Sequence, residues 1–196
     1  MKSIRLAELS DAPAILEIYR PIVRETTISF EVDPPGLLEM QDRIAKTLVQ
    51  FPWVVCESKG TVIGYAYSGP HRSRIAYQWS VELSVYIHEA HRKQGVARGL
   101  YTSLMALLTL QGYINAYCGV ALPNQASEKL HASMGFKPIG TYVKVGYKMG
   151  QWHSVKWWSQ SLSDYPASPN SPVHPAHLIG TEGWEQALRS GEAFFS

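Results

Sequence analysis

The stretch Arg92-Lys93-Gln94-Gly95-Val96-Ala97-Arg98-Gly99-Leu100 combines small residues, positive charge and the start of a helical pattern, a combination suited to holding a phosphate-type anion. Glycine and alanine let the backbone approach a ligand closely, and the first amides of a helix lack internal acceptors, so they and the helix dipole can hold negative charge. Arg92, Lys93 and Arg98 add charge-assisted donors. An ordinary strand-to-helix turn with a solvated basic rim has the same composition, so the loop needs support from elsewhere in the chain. Gly95-x-x-x-Gly99 lacks the Lys-Ser/Thr ending of a nucleotide-binding P-loop, and no Gly-x-Gly-x-x-Gly occurs. His88-x-x-His91 has a spacing that could seat a metal, but no cysteine or carboxylate set completes it, and no metal is expected.

The elements that must position this loop follow from period and punctuation. Ser3 to Ala7 reads as a strand, followed by a helix with Ser10 as N-cap and Pro13 in its first turn; Ile15, Leu16, Ile18, Tyr19, Ile22 and Val23 are its apolar set. Pro21 is expected to kink or interrupt it. Gly36 to Gln50 has a second helical stripe through Leu37, Met40, Ile44 and Leu48. Trp53 to Ser58 and Thr61 to Ser68 read as a hairpin turning at Lys59-Gly60. From Trp79 to Ile87 the pattern alternates, with Trp79, Val81, Leu83, Val85 and Ile87 on one face and Ser80, Glu82, Ser84 and Tyr86 on the other. That strand feeds the basic turn. A helix from about Ala97 to Gln111 ends at Gly112, Asn115 to Leu122 is a strand, and Asn124 to Met134 is a helix ended by Gly135. Tyr142 to Gly150 and Val155 to Ser161 close the core with β-type sequence, giving the order βααβββαβαββ and a mixed α/β sheet with helices on both faces. The aromatic run Trp152 to Trp158 reads as strand packing rather than a base-stacking platform. From Asp164 a proline-rich tether begins that is not expected in the core, and a short helix at Glu182 to Ser190 either docks through Trp184 and Leu188 or frays. The expected division is a domain at 1–163 and a tail at 164–196.

Composition narrows the class. With 196 residues, 45% of them hydrophobic and 17% charged, the chain can bury one sizeable core. A net charge of +2 is too mild and too dispersed to argue for nucleic acid, so a small anionic ligand fits better. Cys56 and Cys118 lie in separate apolar runs and read as buried reduced thiols. The N-terminal stretch lacks the apolar run of a signal peptide and no segment approaches membrane-spanning length, so a cytoplasmic protein without a membrane partner is expected.

The order of elements and the loop Arg92-x-x-Gly95-x-Ala97 resemble the GNAT superfamily of acetyl-CoA-dependent N-acetyltransferases, with alanine in place of the last glycine. Asn124, Ala126, Leu130 and Gly135-Phe136 resemble the family's second cofactor-side helix. Further segments resemble phosphinothricin N-acetyltransferases and methionine sulfone/sulfoximine acetyltransferases: Phe51-Pro52-Trp53, Gly69-Pro70, Tyr77-x-Trp79-x-Val81-Glu82-x-Ser84-Val85-Tyr86-Ile87, Leu122-Pro123-Asn124 and Gly146-Tyr147-Lys148-x-Gly150-x-Trp152-His153. The resemblance covers about residues 3 to 162. Ser154 stands where the family often has aspartate.

The resemblance implies the GNAT fold, acetyl-CoA as donor, and direct transfer to a small amino-acid-like amine, with resistance to such compounds as a consequence. Amide formation from a thioester needs a deprotonated amine, a polarised carbonyl, a protonated leaving thiol and aligned substrates. By resemblance, Glu82 is the base. The backbone of Val85, Tyr86 and Ile87 pairs with the pantetheine arm, and Arg92 to Arg98, including Gln94 and Val96, cradle the pyrophosphate. Asn124 contacts the cofactor. His131, where many members carry a tyrosine acid, is placed to protonate a thiolate whose pKa is near the cysteine reference of about 8.5, or else only contacts the cofactor. Arg74 is expected to grip an acceptor carboxylate, with Phe30 and Tyr77 as walls. A homodimer with Gly150-x-Trp152 near the partner is also implied. The alternatives are acetylation of a protein N-terminus, a lysine or another xenobiotic amine, and a non-catalytic acyl-CoA-binding module.

Overall fold

A computed structural model describes residues 2–195. Seven strands, β1 (Lys2–Leu6), β2 (Trp53–Ser58), β3 (Thr61–Pro70), β4 (Ser80–Ile87), β5 (Asn115–Ala121), β6 (Lys137–Lys148) and β7 (Gln151–Ser161), form one sheet in the order β1-β2-β3-β4-β5-β7-β6. Every neighbouring pair is antiparallel except β4 and β5. The helices are α1 (Ala12–Glu25), α2 (Leu37–Gln50), α3 (Val96–Gln111), α4 (Gln125–Ser133) and α5 (Glu182–Arg189). The mixed α/β class and the element order agree with the sequence pattern.

Period explains the two layers. On α3 the spacing of Leu100, Leu104, Leu107 and Leu108 gives one stripe, and each is fully buried against Val81 and Leu83 of β4 and their neighbours. Full burial of such a side chain contributes about 1.5–3 kcal/mol. The opposite face of the sheet carries Trp53, Val55 and Tyr65, which pack with Ile15, Tyr19 and Ile22 of α1 and Met40 and Ile44 of α2. Gly112 ends α3 in the left-handed conformation at φ 91°.

Five expectations need correction. Asp11, not Ser10, is the N-cap of α1, because residues Leu9–Asp11 form a separate 3-10 turn ahead of it. Pro21 does not interrupt α1, which runs on to Glu25; its ring lies on the exposed side while Ile18, Tyr19, Ile22 and Val23 hold the turns around it against the sheet. β6 starts at Lys137 rather than Tyr142, and β7 starts at Gln151 rather than Val155, because Met149 and Gly150, both at positive φ, make the tight turn between them. Asn124 caps α4 instead of lying within it. The proline-rich segment is no free tether: Gln111, fully buried, donates to the Val173 carbonyl at 3.0 Å, and Trp79 Nε1 donates to the Asn170 carbonyl at 2.7 Å. Beyond it α5 docks, with Trp184 only 1% exposed in the α3-side core.

Candidate active site

Two parallel strands part at Glu82. β4 and β5 share only the pairs Ser80↔Asn115, Val81↔Ala116 and Glu82↔Tyr117, whereas β4 stays paired with β3 through Ile87. The β5-facing edge of β4 therefore runs on without a strand partner, and such an edge can pair with an extended, amide-bearing ligand.

The parting opens into a cleft of about 730 Å³. Val85, Tyr86 and Ile87 border it on β4. Arg92, Lys93, Gly95, Ala97 and Arg98 border it on the loop and α3, and Asn124, Ser127 and Leu130 on the α4 side. Lys93 and Gly95 take left-handed conformations, φ 62° and 79°, which turn the loop sharply into α3. Gly95 is required there for a second reason: a Cβ would run into the carbonyl of Phe194. The side chains of Gln94 and Val96 do not line the cleft. Gln94 Nε2 donates to the Ala90 carbonyl at 3.2 Å, and Val96 is 1% exposed in the core, so only their backbone amides belong to the loop. The Asn124 Oδ1 accepts the Ser127 amide at 3.1 Å as a helix cap, which leaves its amide nitrogen for a ligand.

A narrow slot of about 60 Å³ continues inward between Ser84–Tyr86 and Cys118–Ala121, with Tyr101, Ser127 and His131 on its wall. His131 is 3% exposed. Its Nδ1 lies 2.7 Å from the Ser127 carbonyl, which can only accept, so Nδ1 carries the hydrogen and Nε2 faces the Tyr101 hydroxyl at 3.4 Å. Burial holds this imidazole below the ordinary histidine range, opposed only by the Ser127 carbonyl. Burial also pushes the thiols of Cys56 and Cys118 up to about 12, so neither is a ready nucleophile.

The carboxylate of Glu82 sits on the other face of β4, side chain 37% exposed and reachable. Sequence reasoning missed its partners: His71 Nδ1 at 2.9 Å and Arg72 Nη1 at 3.4 Å. The signal lay in the register, since Gly69 pairs with Glu82 and the next residues of the chain must fold back beside it. Tyr77 reaches this group by packing edge-on to His71, 6.2 Å between ring centres. Arg74 does not: it is exposed, in the turn before residues 75–77, and its side chain contacts no described carboxylate. Phe30 packs beneath Gly146 and against His153 at 6.3 Å, and Lys148 donates to the Ser29 carbonyl at 2.6 Å, so the loop between α1 and α2 is fastened to the β6–β7 hairpin. His88 and His91 lie 5.7 Å apart by ring centre, and no group of three or more candidate metal ligands occurs among the described residues.

Cationic side chains and helix amides at one end of the cleft suit a pyrophosphate, and an unpaired strand edge leading to a closed slot suits an acyl-bearing amide arm. A sheet that parts in this way, with a carboxylate at the fork, fits the site of an acyl-CoA-dependent acyltransferase. The acetyltransferase (GNAT) domain model matches residues 4–157, and the chain belongs to that family. It is 36% identical over 176 residues to the phosphinothricin N-acetyltransferase of Streptomyces viridochromogenes, covering 90% of this chain and 95% of that one. It is 33% identical over 168 residues to the L-methionine sulfoximine/L-methionine sulfone acetyltransferase of Salmonella typhimurium, covering 84% and 97%. Among solved structures, a phosphinothricin acetyltransferase from Sinorhizobium meliloti in complex with AcCoA superposes with a TM-score of 0.84 at 30% identity, covering 89% of this chain and 96% of that one. The protein is an N-acetyltransferase that takes acetyl from acetyl-CoA.

Proposed function

We propose that the enzyme acetylates the α-amino group of a small amino-acid-like acceptor of the phosphinothricin, methionine sulfoximine or methionine sulfone type, by direct transfer, with resistance to such compounds as its use. The observation that carries this reading is the fork at Glu82, where a donor cleft on one side meets an accessible carboxylate on the other. The relatives' names supply the acceptor class.

Acetyl-CoA supplies an activated acyl carbon. Arg92, Lys93, Arg98 and the amides of residues 93–97 hold its pyrophosphate, and the freed edge of β4 at Val85 to Ile87 aligns the arm and offers an amide to the thioester oxygen. Asn124 contributes its side-chain nitrogen. Glu82 accepts the acceptor's ammonium proton, which frees the lone pair for attack. His131 borders the slot as proton donor to the departing thiolate: once protonated, a ring whose pKa burial has lowered is a strong acid toward sulfur. Arg74, whose side chain contacts no carboxylate among the described residues, is the anchor for the acceptor carboxylate, with Tyr77 and Phe30 at the margins of that side.

Residues 1–163 carry the acetyltransferase domain and 164–196 an extension docked on it. The two free thiols suit a reducing cytoplasm. Val143 (74% exposed), Tyr147 (59%) and Trp152 (60%) leave apolar surface on the outer β6–β7 hairpin, which supports a homodimer through this edge. Sedimentation should then give twice the chain mass, and paired Val143→Lys and Tyr147→Lys changes should shift it to the monomer.

The test of function is thiol release from acetyl-CoA against a panel of amino acids, phosphinothricin, methionine sulfoximine and methionine sulfone. Turnover with the analogues is expected. Release with none of the panel, while acetyl-CoA still binds, would sink the acceptor assignment.

A further inference from the structure

We infer that His71 is a positioning residue for the acetyl transfer: it clamps one oxygen of Glu82 and thereby presents the other to the acceptor amine. The inference rests on the reading of Glu82 as the base. His71 Nδ1 and Arg72 Nη1 both meet Oε1, at 2.9 and 3.4 Å, while Oε2 accepts no hydrogen bond from the described residues. A carboxylate can only accept, so in the neutral imidazole Nδ1 carries the hydrogen. The longer, more exposed contact from Arg72, whose side chain is 45% exposed, adds charge but little direction.

The imidazole itself is held on three sides. It stacks on Tyr117 of β5 at 4.2 Å and 16°, and meets the edges of Tyr77 at 6.2 Å and Trp157 of β7 at 6.0 Å. Its backbone amide donates to the Ser80 carbonyl at 3.1 Å. The ring is thus a fixed donor, its side chain only 13% exposed, beside a carboxylate that is 37% exposed. A glutamate on an open sheet face has three free torsions, and a clamp on Oε1 removes that freedom before substrate arrives. In the transfer step the ammonium N–H bond breaks, its proton goes to Oε2 and the freed electron pair forms the C–N bond with the acetyl carbon. The C–S bond breaks with its pair on the CoA sulfur, and the adduct's remaining excess proton ends on that thiolate. The hydrogen on Nδ1 stays where it is.

Two substitutions separate hydrogen bonding from packing. His71→Phe keeps a flat ring on Tyr117 and deletes the donor; His71→Asn loses the ring but can donate from its amide to Oε1. His71→Phe should lower kcat roughly tenfold to a hundredfold, with the KM for acetyl-CoA unchanged, and His71→Asn should recover most of kcat. In a Glu82→Gln background His71→Phe should cost nothing more. Unchanged kcat in His71→Phe, or His71→Asn no better than His71→Phe while both bind acetyl-CoA normally, would overturn the inference. If neither variant folds, Tyr117→Leu, which leaves the imidazole but loosens its seat, must lower kcat, and full activity there overturns it. Glu82→Gln tells the two readings apart. Full activity in that variant removes the base itself, whereas loss there with no effect at His71 removes only the clamp.

Discussion

His131 illustrates how one buried ring acts on stability and on chemistry with opposite preferences. Stability favours the neutral form, because burial among Tyr101, Phe136 and Trp158 penalises the charge, and the hydrogen bond from Nδ1–H to the Ser127 carbonyl offsets this only in part. The folded-state pKa is therefore depressed below the ordinary value of 6.5. The sign for stability follows: below that value the unfolded chain takes up a proton that the folded chain refuses, so stability falls as pH drops from 6.5 toward the folded pKa and is unaffected above it. Urea midpoints measured down the pH scale should show this loss, and His131→Gln should flatten the part of the slope that belongs to the ring. The proposed role as proton donor to the thiolate needs the other form. His131→Ala should lower kcat by about 10²-fold while leaving acetyl-CoA affinity nearly intact; an unchanged kcat would reduce the residue to a wall of the slot. Glu82→Gln should cost about 10²–10⁴-fold in kcat with both substrates still bound, as expected for loss of a general base.

At the level of elements, the junction between β4 and α3 carries the densest constraint. Gly95 holds φ 79° as the N-cap of α3, and the Phe194 carbonyl fills the space where its Cβ would be. Gly95→Ala must therefore pay for a left-handed alanine, about 1–2 kcal/mol, and for displacing that carbonyl. Denaturation should register a loss of about 1–3 kcal/mol, and calorimetry a weaker acetyl-CoA complex, since the same turn aims the loop amides. The left-handed need of Gly95 was open to a sequence reading through its small-residue turn, as were the α3 stripe, the β4 alternation and the Gly112 stop. Local period decides such features. The parting of β4 from β5 was not legible, because it depends on how far two strands distant in sequence keep company, and no residue at positions 83–87 marks it. Nor were His71 and Arg72, which earn their place only through the antiparallel register that sets Gly69 opposite Glu82. A loop motif names Gln94 and Val96 by position, whereas burial decides which side chains of the loop point at the cleft.

For the whole molecule, the C-terminal extension is a part of the donor site's foundation. Trp184 and Leu188 sit in the α3-side core, Ser103 of α3 donates to the Leu188 carbonyl at 2.7 Å and accepts the Gly191 amide at 3.1 Å, and Glu192 Oε1 accepts the Ile4 amide at 2.8 Å. Gly99 and Gly191 touch backbone to backbone, which explains a glycine that the anion-loop reading had no need of. Phe194 then lies across the turn at Gly95 and against Arg98, 5.5 Å from the guanidinium to the ring centre. Arg98 also borders the cleft, so the extension holds the first turn of α3 from the side away from the ligand. Removing its anchor should loosen that turn while leaving the acceptor side, across the sheet, untouched. Trp184→Ala should cost about 3–5 kcal/mol in stability, read by chemical denaturation. In steady-state kinetics below the melting range it should raise the KM for acetyl-CoA several-fold, with the acceptor KM unchanged at saturating acetyl-CoA. Equal weakening of both substrates would mean that α5 stabilises the fold as a whole, and the specific support of the donor loop would be wrong.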